Sequence, residues 1–114
     1  MIRTALDMRV REGCTDAFER TWRDAAEVAS RYPGSIGQTM LRGAEDPLRY
    51  TITADWETAE HLGRYQRSED RQALSAALDQ LRDSATKTLF EVVAHIASPA
   101  PSETSPTEKG TAPR

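Results

Sequence analysis

The stretch TITADWETAEHLGRY, residues 51–65, joins two kinds of periodicity. Its first half alternates and is rich in β-branched and aromatic residues, as a half-buried strand requires. Extended back to Leu48, it predicts a strand over 48–56. Tyr50, Ile52, Ala54 and Trp56 share one face, and Arg49, Thr51, Thr53 and Asp55 share the other. The second half predicts a short helix over about 57–66. A tryptophan thus closes a strand where a polar helix begins, with His61, Arg64 and Tyr65 crowded beside it. These are either ordinary core and surface residues or the rim of a pocket.

The pattern extends in both directions. IRTALDMRV, residues 2–10, alternates as a strand with Ile2, Thr4, Leu6, Met8 and Val10 on one face. Gly13 breaks it, and Thr15 or Asp16 is placed to cap a helix reaching about Tyr32, with Asp16 and Glu19 at capping-box spacing. Phe18, Trp22, Ala25, Ala26, Ala29 and Tyr32 form that helix's apolar stripe, and Pro33-Gly34 stops it. SIGQTMLRG, residues 35–43, predicts another strand. Ser68 is placed to cap a helix over about 69–85, whose first turn carries Glu69 and Asp70. TLFEVVAHI, residues 88–96, predicts the last strand. The order is βαββαβ, with the second crossover split into two helical pieces. This predicts an α+β, ferredoxin-like domain: a four-stranded antiparallel sheet with helices on one face.

The chain has 114 residues and a formal net charge of −3. We divide it into one domain, 1–97, and a Pro/Ser/Thr-rich tail, 98–114, expected to be disordered. The acidic balance argues against a nucleic-acid surface, and no like-charge block suggests a membrane patch. One cysteine, Cys14, makes neither an internal disulfide nor a thiolate metal cluster. With no signal-like or bilayer-length apolar segment, a cytoplasmic protein is expected. A sheet covered on one face leaves its other face to be buried. That face carries Met40 or Leu41, and either Leu89 with Val93 or Phe90 with Val92, depending on register. The simplest cover is a second copy, so a homodimer is expected.

Individual residues admit two readings each. Arg71, Leu74, Leu78, Leu81 and Ala85 fall on one helical stripe, so a guanidinium heads an apolar row. It either snorkels to solvent or faces a cavity and pairs with an anionic oxygen. His61 is either a surface residue or a base suited to a phenolic or C–H proton. Tyr65 and Leu62 are expected on its side of the short helix. Tyr50 and Tyr65 either pack in the core or donate phenolic hydrogen bonds to a ligand. Trp22 is either core or a cavity's far wall.

The segments RYPGSIGQTML and TITADWETAEHLGRYQRSEDRQAL resemble the antibiotic biosynthesis monooxygenase family of dimeric α/β-barrels, and the resemblance spans residues 2–96. It implies a cavity between sheet and helices, with Trp56 stacking on a polycyclic substrate and Tyr50, Trp22, Leu62 and Ile52 around it. It favours the cavity-facing reading of Arg71, since anthrone oxygenases of the family carry an arginine in a similar setting; His61, Arg71 and Tyr65 could then supply the base and the oxyanion donors that such chemistry needs. The implied reaction is oxidation or ring cleavage of an aromatic polyketide by O2. Such oxygenases work either without a cofactor or with diffusible reduced flavin (FADH2 or FMNH2). A polyketide cyclase and a non-catalytic binding subunit remain alternatives. Two departures matter. Ile52 stands where anthrone oxygenases carry an asparagine, and Gln66 stands where haem-degrading members carry a histidine. No haem and no metal are therefore expected.

Overall fold

The computed structural model describes residues 1–99. Its elements run β1 (Ile2–Val10), α1 (Thr15–Ala29), β2 (Ser35–Arg42), β3 (Arg49–Trp56), α2 (Ala59–Gln66), α3 (Glu69–Asp79) and β4 (Arg82–Glu91). The strands form one antiparallel sheet in the order β2-β3-β1-β4. This is the ferredoxin-like α+β arrangement, with the split crossover. The expected tail falls almost wholly outside the described residues. None of the described helices is long and apolar enough to cross a membrane.

Register decides which side chains meet the helices. Leu6 lies opposite Ile52, Ile2 opposite Trp56 and Met8 opposite Tyr50 across β1 and β3. Directly opposed residues share a face, so the apolar sets of both strands point the same way. Helices cover that side. Met8, Val10, Phe18, Tyr50, Ile52 and Leu78 form one buried cluster, and Ala29, Trp56, Leu62 and Tyr65 form another. The Phe18 and Tyr50 rings meet at 5.0 Å, tilted by 56°. Trp56 and Tyr65 stack at 5.2 Å, and Tyr32 meets Tyr65 edge-on at 5.1 Å. Each such aromatic pair adds about 0.5–1.5 kcal/mol beyond the area it buries.

The open face carries the alternate residues. Arg3 clasps Asp55 through two hydrogen bonds of 2.6 and 2.9 Å. The Thr51 hydroxyl donates to Asp7 at 2.6 Å. Register resolves the alternatives for this face in favour of Leu41 and Phe90. Leu41 lies opposite Thr51, and Phe90 lies opposite Arg3. Both are about half exposed. Met40 lies opposite Ile52 and packs on the core instead.

Three boundaries differ from the sequence reading. Helix α1 ends at Ala29, and its N-cap is Cys14 with no side-chain cap bond, so neither Thr15 nor Asp16 caps it. Ser68 does cap α3, accepting from the Arg71 N–H, but α3 stops at Asp79 rather than near 85. The segment 82–87 has helix-compatible composition yet forms the start of β4, because β1 offers it a free edge: Arg9 pairs with Ser84 and Leu6 with Lys87. Ladder hydrogen bonds to a neighbouring strand outweigh a propensity difference of tenths of a kcal/mol per residue. In consequence β4 ends at Glu91, and Val93 and Ile96 lie beyond it, more than nine-tenths exposed.

The chain passes from α1 into β2 through Gly34, which has φ 87° and therefore sits in the left-handed region. A Cβ at this position would fall 2.3 Å from the His61 ring. Gly34→Ala is expected to lower stability by about 2 kcal/mol or more, from backbone strain and the clash together. Adding His61→Ala should recover only part of the clash, because the Cβ at position 61 also lies within 2.4 Å. Urea unfolding of the single and double variants measures this. A Gly34→Ala protein as stable as the parent would refute the account.

Candidate functional site

Sheet and helices do not close completely between the two buried clusters. Thr4, Leu6, Ile52 and Ala54 floor a slot of about 60 Å³. Trp22 from α1, Leu62 and Tyr65 from α2, and Leu74 and Leu78 from α3 roof it, and Trp56 closes one end. The polar groups at its boundary are Gln38, Gln66, Arg71 and Lys87. Gln38 is held in place by donating from Nε2 to the Ala26 carbonyl at 3.2 Å. The slot is therefore mostly apolar and aromatic at one end, with its charge on the side shared by Arg71 and Lys87.

Arg71 sits in this rim because Ser68 starts α3 where it does. The Ser68 hydroxyl takes the Arg71 N–H at 3.1 Å, which orients the first turn. The guanidinium is half-buried and donates to the Ser75 hydroxyl one turn on. Burial is the main influence lowering its pKa, and Arg82 acts in the same direction; Tyr65 and Asp79 oppose them. Arginine stays protonated through such a shift. The site thus holds a partly desolvated cation whose attraction for an anion exceeds that of a surface arginine. The Tyr65 phenol is raised, first by burial, with Arg71 opposing. It remains protonated at neutral pH and can donate to a ligand oxygen.

Six of the eight residues singled out from the sequence line the slot: Trp22, Ile52, Trp56, Leu62, Tyr65 and Arg71. Two do not. His61 lies one position from Leu62, so about 100° of helical rotation turns it out of the slot. Its ring packs over Gly34, and Nδ1 lies 2.8 Å from the Thr58 hydroxyl, which also accepts the His61 N–H as the α2 cap. Tyr50 is buried in the other cluster, and its hydroxyl donates to Glu19 at 2.6 Å. Burial, the main cause, and this bond to a carboxylate both raise its pKa. Thr4, Gln38 and Lys87 were not anticipated. Lys87 could not be, since its direction follows from where β4 begins. Gln66 follows from Leu62 at i+4, so helical spacing pointed to it.

The slot's boundary contains no carboxylate, histidine or thiol among the described residues. Nor does any group of three or more His, Cys, Asp or Glu side chains converge elsewhere among them. The wall can bind a planar ring, stabilise a negative oxygen and donate hydrogen bonds. It offers no carboxylate or imidazole to take a proton.

The antibiotic biosynthesis monooxygenase family profile matches residues 1–77. The chain belongs to this family. A relative from Bacillus subtilis (strain 168), YczJ, is 30% identical over 79 residues, covering 68% of this chain and 83% of YczJ. Among solved structures, SnoaB from Streptomyces nogalater, a cofactor-independent oxygenase, superposes with a TM-score of 0.77 at 21% identity. That match covers 85% of this chain and 97% of SnoaB. A conserved protein from Methanosarcina mazei Go1 gives 0.74 at 18% identity, covering 78% and 89%. At these identities the structural matches establish the fold that family members share. The slot lies between its sheet and its helices.

The separate position of Tyr50 yields a test. Tyr50→Phe is expected to cost about 1 kcal/mol of stability through the bond lost to Glu19, while leaving ligand binding in the slot unchanged. Thermal unfolding and quenching of tryptophan fluorescence by a bound quinone measure the two effects. Weakened binding at full stability would return Tyr50 to the site.

Proposed function

We propose that this protein is a small oxygenase that oxidises an electron-rich hydroxylated aromatic compound of the polyketide type with O2. The observation that carries the reading is the slot itself: an aromatic wall at Trp56 and Tyr65, and a half-buried guanidinium at its rim. SnoaB's description as a cofactor-independent oxygenase supports it. Trp56 stacks on the ring, Leu62, Ile52 and Trp22 exclude water, and Tyr65 donates to a ring oxygen. Arg71 lies where an anionic oxygen would need it.

His61 has no part in this scheme. The substrate's own acidity takes the place of an internal base. A cation beside a phenol or enol favours its ionised form, and the proton leaves to water through the open rim. The resulting anion passes one electron to O2, and the radical pair joins in a C–O bond. The peroxide anion so formed takes up a proton to give a hydroperoxide. Loss of water then leaves a carbonyl, so one substrate CH2 and one O2 give one C=O and one H2O. Diffusible reduced flavin is the alternative source of electrons in this reading.

At about 60 Å³ the slot is far below the several hundred Å³ of common ligand sites. A fused-ring substrate would therefore place one ring inside and extend outward. The small volume also favours a second reading, oxidation of a single-ring hydroquinone. The half-exposed Leu41 and Phe90 on the open sheet face support packing against a second copy, as a homodimer.

Oxygen uptake with an anthrone and with a substituted hydroquinone tests the proposal and separates its two forms. Arg71→Met is expected to lower kcat/KM by about 10- to 100-fold, whereas His61→Ala changes it less than about twofold. Full activity in Arg71→Met, or no oxygen uptake with any polyphenol, would defeat the oxygenase reading. Cyclase activity without O2 would replace it.

A further inference from the structure

Beside the slot lies a second depression, about 440 Å³, lined by Gln72, Ser75, Ala76 and Asp79. It shares three residues with the slot: Gln66, Arg71 and Lys87. These form a neck between an apolar inner space and a polar outer one. Lys87 lines the neck because it lies opposite Leu6 in the β1–β4 ladder, on the side of the sheet that faces the helices, while staying exposed to solvent. Among the described residues neither Arg71 nor Lys87 forms an ion pair with a carboxylate. The one acid lining the outer depression, Asp79, is already engaged by Arg82 at 2.7 Å. Two cations, from α3 and β4, thus flank a passage beside the slot, and no carboxylate among the described residues pairs with them.

We infer that the natural ligand is an aromatic acid, with its ring in the slot and its carboxylate held in the neck by Arg71 and Lys87. The inference rests on the slot being the substrate site and adds the substrate's class to it. Geometry supports a carboxylate. The planar guanidinium presents paired donors that match two carboxylate oxygens, and the lysine adds a point charge from the opposite wall. The ring and its acidic group would then occupy spaces of matching polarity. With the carboxylate ending in the neck, the slot's small volume calls for a single-ring acid. Lys87 becomes a specificity residue for the oxidation. A lysine turned inward on an edge strand also discourages pairing with other chains, but that role is indifferent to ligand charge.

The test uses the full chain and two single-ring probes of equal shape, 2,5-dihydroxybenzoate and 2,5-dihydroxybenzamide. The protein's two tryptophans both line the slot, so their quenching reports binding without turnover. The acid is expected to bind about tenfold tighter than the amide at low salt, with the advantage shrinking as salt rises. Lys87→Met should remove about fivefold of that preference and leave the amide unchanged, while Lys87→Arg keeps it. Equal binding of the two probes, or equal loss of both in Lys87→Met, would overturn the inference. Charge preference without oxygen uptake would keep the anion site and remove only the oxygenase reading. Oxygen uptake without charge preference would do the reverse.

Discussion

The pairing of β1 with β3 is the constraint on which the rest of the molecule depends. It sets Leu6 against Ile52 and Ile2 against Trp56. A slip of one residue would turn every one of these side chains to the opposite face. The helices would lose the surface they pack on, and the slot would lose its floor. The outer residues of the same two strands support this register, because Arg3 clasps Asp55 and Asp7 accepts from Thr51 only when the inner pairs are aligned. The polar face thus helps to specify what the apolar face does.

The slot exists because the core is divided. One cluster is organised by Phe18, Tyr50 and Leu78, and the other by Trp56, Leu62 and Tyr65. Large rigid rings leave gaps where they do not interdigitate, and here the gap falls between the clusters. Its walls come from all three helices and the sheet, whereas its charge comes from the first turn of α3 and the middle of β4. This separation makes the site amphipathic, with aromatic side chains at one end and cations at the other. Membership in the antibiotic biosynthesis monooxygenase family accounts for the frame in which the rim cations sit.

Loss of the expected base changes the chemical logic. With His61 committed to the Thr58 cap and to contact with Gly34, the reaction proposed above leaves proton removal to electrostatics. In that proposal a partly desolvated arginine serves the purpose, since its field acts on the substrate's own pKa. The proposed chemistry therefore rests on α3 rather than α2. Tyr50 shifts in the same sense, from a ligand contact to a buried strut beneath α1.

Much of this was legible in the residue order. Alternation at 2–10 and 48–56 identified the central strands and their inward faces. Pro33-Gly34 and Ser68 marked where helices stop and start, and the split crossover followed from those signals. The inward positions of Trp56, Ile52 and Arg71 needed only periods of 2 and 3.6, which are local properties of the backbone. Tertiary structure alone decided the rest. Segment 82–87 became a strand because β1 had an unpaired edge, a fact no window of sequence contains. That choice turned Lys87 inward and sent Phe90 to the open face. The Thr58 cap and the turn at Gly34 selected which side of α2 faces the sheet, and so removed His61. Local periodicity tells which residues share a face, but only packing between distant segments tells what that face meets.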